Sequence, residues 1–382
     1  MRPAGLPPEV RAYLDHASVS PLRPEVIEAL GQMLGIAQAD PGRGHAEALV
    51  IRDLIEDARA SVAGLSKVTP RQVVFTASIA ESVTTSLAGL VKGGQVLAPF
   101  TERSSVLDAA RHYGTLTEVP VDSEGLYDLE ALGVALRSAP TDLVCCQVAN
   151  HETGVLNDVG AVVELARTHG SAVHLDASMA LGHVEIDLGA LDADAVTIGG
   201  ELIGGPMGSA ALLVRAGRVL PPLILGGAQE RARRAGLEAI LGIVGFGIAA
   251  EVLRAPTTLR REASLAADQI AQIESALSEV EGVHQVGAHD PRLRAPHLRC
   301  FTIDGVEAEP VLMGLDRAGI SVHSGSACAS ESLEPSPVLA AMGVEAAQSL
   351  RVSVGWSTMQ ADVDRLTDRF AEVVSNLRSL QS

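Results

Sequence analysis

The chain has few amine groups and few aromatic rings. Its 29 lysine and arginine residues include only two lysines, Lys67 and Lys92. Chemistry that requires a lysine amine, such as the formation of a Schiff base, therefore has almost no candidate residue. Aromatic residues make up 2% of the 382 residues, so we expect a core built mainly from Ala, Val, Leu and Ile.

Long apolar runs and an excess of positive charge are also missing. No apolar run reaches about 18 residues without a charge or a turn, so we expect no membrane span. The formal net charge of −18 argues against a nucleic acid partner, because the phosphates would be repelled. The N-terminal residues MRPAGLPPEV are polar and proline-rich, and so do not resemble a signal peptide. We therefore expect a cytoplasmic protein.

Cysteine is scarce, and the four cysteines do not have the spacing of a metal site. We therefore predict no metal. Cys145 and Cys146 lie in the apolar run LVCCQVA, which predicts buried thiols. Cys328 lies in a polar loop rich in glycine and serine, where a structural thiol would have little to pack against. It is therefore the candidate reactive cysteine.

Short apolar strands alternate with helices from VVFTASIAESVTTSLAGL to AVHLDAS. This alternation predicts an α/β fold with a mainly parallel sheet and helices on both of its faces. The pattern changes near Ala255, and a long helix is expected from about Arg260 to Val280. We predict a large α/β domain over residues 14–254 and a smaller α+β domain formed by residues 1–13 and 255–382.

Ligands of such folds bind at the carboxyl ends of the parallel strands. Ala80, Arg103, His151 and Asp176 all fall there. The strand that ends at Asp176 is followed by two apolar runs joined by the glycine-rich turn GGELIGGPMG, the layout of a cofactor site. A turn of this shape usually carries a lysine when the cofactor is an aldehyde. Here it carries Glu201–Leu202.

Seven segments support a resemblance that spans nearly the whole chain: YLDHASVSP, VVFTASIAES, VANHETGVLNDV, HLDASMALG, GGPMGSAALLV, HSGSACASESLEPSPVLAAMG and LRVSVGW. In this order they resemble the cysteine desulfurases, whose fold is that of the class-V aminotransferases. The resemblance implies a PLP-transferase-like fold, a dimer, and pyridoxal phosphate (PLP) as cofactor. It also implies that Cys328 takes sulfur as a persulfide. Arg351 would hold the substrate carboxylate, a task suited to a guanidinium, with Asn150 and His151 as its neighbours in the substrate site.

The residues that the family uses to hold PLP are replaced in this chain. The Schiff-base lysine corresponds to Leu202, and the histidine before it to Glu201. The histidine that stacks on the cofactor corresponds to Arg103. The remaining replacements are His151 for an asparagine, Met179 for a glutamine, Ala80 for a phosphate-binding threonine, and Leu237 for a threonine lent by the dimer partner. Asp176, which faces the pyridine nitrogen in the family, is retained.

These replacements predict that the protein binds no PLP. A phosphate carries a charge near −2 and needs several donors, each worth about 1.5–3 kcal/mol. The hydroxyl and imidazole donors are gone, and Glu201 adds a negative charge. We expect Arg103, Asp176 and Glu201 to pair with one another in the pocket, because a buried aspartate needs a cation. We expect His151 to be a hydrogen-bonded pocket residue rather than a general base.

Three functions remain open at this point. The first, which we favour, is a non-catalytic relative that relays a persulfide on Cys328 or acts as a scaffold in a sulfur pathway. It would form a homodimer, or a heterodimer with an active paralogue, and could meet a sulfur-acceptor protein. The second is a repurposed enzyme for a small carboxylated substrate, with acid–base groups in the old pocket. The third is an active PLP-dependent cysteine desulfurase that uses Lys67, Lys92 or no lysine at all.

Overall fold

The computed structural model describes residues 11–35, 39–324 and 336–380. The strands are β1 (Ala12–Tyr13), β2 (Val73–Thr76), β3 (Gln95–Ala98), β4 (Thr115–Glu118), β5 (Thr141–Gln147), β6 (Ala172–Asp176), β7 (Ala195–Gly199), β8 (Ala210–Val214), β9 (Val283–Val286), β10 (Leu298–Ile303), β11 (Ile320–Ser321) and β12 (Ser349–Ser353). The helices are α1 (Pro24–Met33), α2 (Ala46–Ser66), α3 (Ile79–Leu90), α4 (Ser104–Tyr113), α5 (Leu129–Ser138), α6 (Val159–Thr168), α7 (Leu188–Leu191), α8 (Gln229–Ala232), α9 (Ile240–Arg254), α10 (Pro256–Ser278), α11 (Ala308–Arg317), α12 (Pro337–Ala341) and α13 (Gln360–Ser379).

The central sheet has seven strands in the order β2-β8-β7-β6-β5-β3-β4. The pairs from β4 across to β7 are parallel, whereas β8 runs antiparallel to both of its neighbours. The predicted α/β fold with a mainly parallel sheet is confirmed. Strand β8 is reversed because a glycine-rich turn, residues 200–209, joins it to β7 instead of a crossover helix.

Polar caps fix the starts of α3, α5, α6 and α7, which follow strands of the central sheet. The side chain of Ser78 accepts a hydrogen bond from the backbone N–H of Glu81 at the start of α3. Asp128, Asp158 and Asp187 cap α5, α6 and α7 in the same way. Each cap satisfies a backbone N–H that the first helical turn would otherwise leave unpaired.

A smaller antiparallel sheet has the strand order β12-β10-β9, and β1 pairs in parallel with β11. Its core is a separate hydrophobic cluster that includes Leu14, Ile270, Phe301 and Phe370. The N-terminal strand therefore packs with the C-terminal part of the chain. The division into domains at residues 254 and 255 stays a prediction, to which this packing lends support.

Helices α9 and α10 meet at Ala255 with a bend of 86°. Helix α10 starts at Pro256 and ends at Ser278, so the expected start near Arg260 was four residues too late. Pro256 is the first residue of the helix, a position that the fixed φ of proline suits, and the prediction overlooked this start signal. Among the described residues no single helix is long and apolar enough to cross a membrane. Helices α9 and α10 reach that length and apolar composition only when they are counted together across the bend.

Candidate active site

The carboxyl ends of the parallel strands bring the predicted pocket residues together. In the sheet register Asp176 on β6 lies between Gln147 on β5 and Thr197 on β7. Arg103 precedes α4, and its side chain reaches Asp176 from the far side of β5. The turn after β5 adds His151 to this edge of the sheet.

Arg103 and Asp176 form an ion pair. The Nε atom of Arg103 donates a hydrogen bond of 2.8 Å to Asp176 Oδ2, and a terminal nitrogen of the guanidinium donates one of 3.1 Å to the hydroxyl of Ser178. The other carboxylate oxygen of Asp176 accepts hydrogen bonds from the backbone N–H (2.8 Å) and the hydroxyl (2.5 Å) of Ser178. The predicted pairing of Arg103 with Asp176 is confirmed, and it leaves both carboxylate oxygens engaged.

Glu201 does not share this ion pair, contrary to the prediction. Its Oε2 atom is buried and has no hydrogen-bond partner among the described residues. The side chain turns back over Gly199, where a Cβ atom would lie 3.3 Å from Glu201 Oε1 and 2.9 Å from Ile79 Cδ1. Burial raises the pKa of Glu201, and the nearby charge of Arg103 lowers it in part.

The turn after β5 is held by Asn150. Its Oδ1 atom accepts hydrogen bonds from the backbone N–H of Glu152 (2.9 Å) and from the N–H (2.8 Å) and hydroxyl (3.0 Å) of Thr153. Its amide nitrogen donates to the carbonyl oxygen of Thr101 at 3.1 Å. Most of the hydrogen-bonding capacity of Asn150 is therefore used inside the loop, and its role in substrate binding stays a prediction.

His151 is a buried, neutral imidazole. Its ring nitrogens lie 3.5 Å from Gln147 Oε1 and 3.7 Å from Glu152 Oε1. Burial holds the pKa of His151 well below its ordinary value, and the positive charges of Arg103 and Arg351 lower it further. These contacts place His151 in the pocket, and its expected role as a hydrogen-bonded residue rather than a general base stays a prediction.

Arg351 projects from β12 and is tied to the chain itself. One guanidinium nitrogen donates to the carbonyl oxygen of His151 at 2.9 Å. The other donates to Asp15 Oδ1 at 3.0 Å and to the hydroxyl of Ser18 at 2.6 Å. The residue that the resemblance assigns to a substrate carboxylate thus already has a carboxylate partner.

The position assigned to the Schiff-base lysine is aliphatic and lies in the core. Leu202 is 2% exposed and Met179 is 1% exposed, so both belong to the main hydrophobic cluster. Leu202 contributes only its carbonyl oxygen to a polar contact, 3.2 Å from Nε2 of His183. Ala80 lies in the first turn of α3 and is exposed.

The first turn of α3, assigned to the cofactor phosphate, is occupied by a carboxylate of the chain. Glu81 Oε2 accepts a hydrogen bond of 2.8 Å from the backbone N–H of Ala77. Arg234 donates to Glu81 Oε1 at 2.9 Å, so the negative charge at this helix N-terminus is neutralised. The N–H of Ala77 is therefore taken by Glu81, and the hydroxyl oxygen of Ser78 accepts from the backbone N–H of Glu81 at 3.1 Å.

Both lysines of the chain are described, and neither lies at this edge of the sheet. The backbone N–H of Lys92 donates to Asp142, the second residue of β5, which places Lys92 at the amino end of the strands. Lys67 ends α2, and its amine lies 3.9 Å from Asp187, which precedes α7. The geometry therefore offers no lysine amine near Asp176.

PLP is the cofactor that the resemblance implies for this edge of the sheet. The cofactor needs an amine, a carboxylate free to face its ring nitrogen, and donors for its phosphate. Asp176 is paired with Arg103, Leu202 is aliphatic, and the start of α3 is capped by Glu81. The residues at this edge do not fit the cofactor.

The described thiols are all buried. Burial raises the pKa of Cys145 and Cys146 well above the ordinary value and that of Cys300 to about 12. The prediction of buried thiols for Cys145 and Cys146 is confirmed, and none of the three is suited to act as a nucleophile. Cys328 lies outside the described residues. Among the described residues, no group of three or more His, Cys, Asp or Glu could hold a metal ion.

Two buried glutamates next to the pocket were not predicted. Glu102 is 1% exposed, and burial together with the charge of Asp176 raises its pKa to about 8. Burial also raises the pKa of Glu152 to about 7, although the hydroxyl of Ser336 donates a hydrogen bond to it. Their positions beside Arg103 and His151 in the sequence were the available signal, since neighbours of pocket residues are often drawn into the pocket.

The seven-stranded, mainly parallel sheet and the second, smaller antiparallel sheet form a PLP-transferase-like fold, as the comparisons show. Residues 12–366 match the family model described as Aminotransferase class-V, and the chain belongs to this family. Cysteine desulfurase IscS 1 of Archaeoglobus fulgidus is 34% identical, over 96% of this chain and 98% of the relative. A cysteine desulfurase of Cereibacter sphaeroides is also 34% identical, over 97% of each chain. The X-ray structure of a NifS-like protein from Rickettsia africae superposes with a TM-score of 0.88, at 27% identity over 96% of this chain and 100% of the other.

Proposed function

We propose that this member of the family is a cysteine desulfurase-like protein that works without PLP. The observation that supports this most directly is the ion pair of Arg103 and Asp176, with 2.8 Å between Nε and Oδ2. A cofactor bound over β6 would have to break this ion pair or bind the guanidinium of Arg103 itself. Leaving one partner of a buried ion pair without the other costs about 3–5 kcal/mol.

The proposed role is in sulfur transfer or as a scaffold in a sulfur pathway of the cytoplasm. Cys328 would carry the sulfur as a persulfide, received from an active desulfurase and passed to a sulfur-acceptor protein. The assembly would be a homodimer, or a heterodimer with an active paralogue. Support for Cys328 comes from its sequence context, and from the burial of Cys145, Cys146 and Cys300, which leaves these three unsuited to the task.

The test is to titrate the purified chain with PLP and to assay it for sulfide release from L-cysteine. We expect no visible absorbance band from bound cofactor and no sulfide. Incubation with an active desulfurase and cysteine should add one sulfur atom to Cys328, seen by mass spectrometry, and Cys328→Ser should abolish the addition. A cofactor band with sulfide release would support the third alternative, an active enzyme. Absence of the added sulfur would reduce the proposal to a scaffold.

A second candidate function is an acid–base enzyme in the same pocket. It is favoured by the carboxyl groups of Glu102 and Glu152, whose pKa values of about 8 and about 7 allow proton transfer near neutral pH. A carboxylated substrate would have to compete with groups of the chain, because Arg103 and Arg351 are already paired with Asp176 and Asp15. A small molecule that co-purifies with the protein and is released on denaturation would favour this candidate.

A further inference from the structure

A cavity separate from the pocket of Asp176 lies beside β2, an edge strand of the central sheet that is three strands away from β6. Its volume is about 380 Å³, which falls within the range of about 300–1,000 Å³ that is usual for small-molecule sites. The walls of this edge cavity carry three cations and three anions: Arg52, Arg59, Arg231, Glu56, Glu230 and Glu238.

Four of these six side chains neutralise one another. The two terminal nitrogens of Arg59 donate to the carboxylate of Glu230 at 2.7 Å each, and its Nε atom donates to Glu56 at 3.0 Å. Arg231 donates to the other carboxylate oxygen of Glu56 at 2.8 Å. The charges of these four residues are therefore satisfied within the wall.

Arg52 is the cation that remains. Its Nε atom and one terminal nitrogen donate to the carbonyl oxygen of Pro41 at 2.9 and 2.6 Å, and the same terminal nitrogen donates to the carbonyl oxygen of Arg43 at 2.9 Å. Within the part of the chain that the structure describes, Arg52 has no carboxylate partner. Its positive charge is thus available to an anionic group in the cavity.

Glu238 is the anion that remains. Its Oε2 atom is buried and has no hydrogen-bond partner among the described residues. Burial raises the pKa of Glu238, and the negative charges of Glu230 and Asp40 raise it further. A cationic hydrogen-bond donor in the cavity would therefore stabilise this carboxylate.

The wall next to Glu230 has an unusual backbone. Glu230, Arg231 and Ala232 have φ angles of 48°, 60° and 63°, in the left-handed region that favours glycine. Such strained backbone is retained where the surrounding contacts enforce it, and it is frequent at ligand sites. Gln229, which precedes these residues, adds a buried Oε1 atom without a partner among the described residues. The wall thus presents two unused acceptors, on Gln229 and Glu238.

We propose that the edge cavity binds a free α-amino acid with a short side chain, whose ammonium group donates to Glu238 and whose carboxylate accepts from Arg52. An ammonium group has three donors, enough for Glu238 and Gln229 together. A simple anion would use only Arg52, and a simple amine would use only Glu238. The buried side chains of Pro41 and Ile55 give the cavity an apolar wall for a short side chain.

The test is isothermal titration calorimetry of the full chain with three probes of similar size. L-Alanine carries both charges, propionate lacks the ammonium group, and ethylamine lacks the carboxylate. L-Alanine should bind at least about tenfold more tightly than either of the others, the value of one charge-assisted hydrogen bond. Equal affinities for the three probes, or no binding of L-alanine, would overturn the proposal.

Two substitutions assign the two ends of the probe. Glu238→Gln should weaken binding of L-alanine about tenfold and leave propionate unchanged, whereas Arg52→Met should weaken L-alanine and leave ethylamine unchanged. Glu118→Gln and Arg111→Met are the matched controls, because both residues are exposed and lie outside the cavity. Both controls should bind L-alanine like the unmodified chain.

Arg52→Lys is a further variant in case Arg52→Met loosens the segment that Arg52 holds. It keeps the charge and loses the planar fork, so its affinity for L-alanine should lie between those of the unmodified chain and Arg52→Met. Binding of L-alanine that is unaffected by Glu238→Gln and by both substitutions of Arg52 would place the amino acid elsewhere and contradict the proposal. The proposed function is tested by PLP absorbance and sulfide release, which use none of these probes, so either proposal can fail without the other.

Discussion

The imidazole rings of the half-buried His183 and the buried His297 stack with their centroids 3.7 Å apart and an angle of 12° between their planes. His183 hydrogen-bonds to the carbonyl oxygen of Leu202, whereas neither ring nitrogen of His297 has a partner among the described residues. Burial lowers the pKa of His183 to about 4 and that of His297 well below its ordinary value. Nearby His16 behaves in the same way, with a pKa of about 3.

These histidines predict a loss of stability in acid. The unfolded chain titrates near the ordinary histidine pKa of 6.5, above the folded values, so it binds more protons than the folded protein below that pH. The free energy of unfolding should therefore fall as the pH drops from about 6.5 towards 4, by a few kcal/mol in total. Urea unfolding at a series of pH values measures this slope.

His297→Phe keeps a stacked ring and removes two buried nitrogens, so it should reduce the slope in acid. His284→Phe is the control, because His284 is an exposed residue that pairs with Asp304. Its slope should match that of the unmodified protein. An unchanged slope in His297→Phe would show that the stacked pair does not cause the acid sensitivity.

Glu102 should have the opposite effect, a loss of stability as the pH rises from about 4.5 to 8. Its folded pKa of about 8 lies above the ordinary value of 4.5, so the folded protein holds a proton that the unfolded chain releases. The stability that this gives is complete below pH 4.5 and is lost as the pH rises through 8. Glu102→Gln should therefore flatten the decline in the free energy of unfolding, measured with urea, between about pH 4.5 and 8. Glu118→Gln, at an exposed position of β4, should leave the decline as it is. If both variants decline like the unmodified protein, another group is responsible.

The sequence was sufficient to predict the architecture because the signals are local. Alternating apolar strands and helices require crossover connections, and these produce parallel strands. The glycine-rich turn between β7 and β8 also indicated a strand, a turn and a strand. The helix that follows Ala255 was predicted to start near Arg260, four residues too late, because Pro256 was not recognised as its first residue.

The part of the site that could be predicted is the part where a buried charge requires a partner of opposite charge. Asp176 ends a strand and needs a cation, and Arg103 is the cation that follows β3, on the far side of β5 in the sheet. Glu201 was misjudged because the backbone of Gly199 leaves room for its side chain to fold back. The contact between Asp15 and Arg351 could not be predicted from the pattern, since it joins the two ends of the chain and depends on the packing of β1 against β11.

The ion pair of Arg59 and Glu230 is expected to be important for stability. The two side chains are buried and make two hydrogen bonds of 2.7 Å, and Glu230 also accepts one of 2.9 Å from the backbone N–H of Phe75. Arg59→Met would leave the carboxylate unpaired in the core, so the free energy of unfolding should fall by about 3–5 kcal/mol. Arg111→Met, which removes an exposed pair with Asp108, should cost about 1 kcal/mol or less.

The double variant Arg59→Met with Glu230→Gln separates the charge from the packing. Removing both charges should cost less than Arg59→Met alone, since no ion is then left in the core. Denaturant unfolding of the unmodified protein, Arg59→Met, Glu230→Gln and the double variant measures the difference. A double variant that is as unstable as the sum of its two single substitutions would show that the pair is held by packing and not by charge.

Leu202→Lys restores the amine that the resemblance assigns to this position, and it should not restore binding of PLP. The new amine would replace a 2% exposed aliphatic side chain, so the variant should be less stable than Leu202→Met, a volume-conserving control. Asp176 would remain paired with Arg103, and the start of α3 would remain capped by Glu81. Absorbance spectra after incubation with PLP, followed by borohydride reduction and mass spectrometry, test this. A trapped adduct at position 202 in the single variant would mean that the loss of the lysine alone had emptied the site, and that the other replacements tolerate the cofactor.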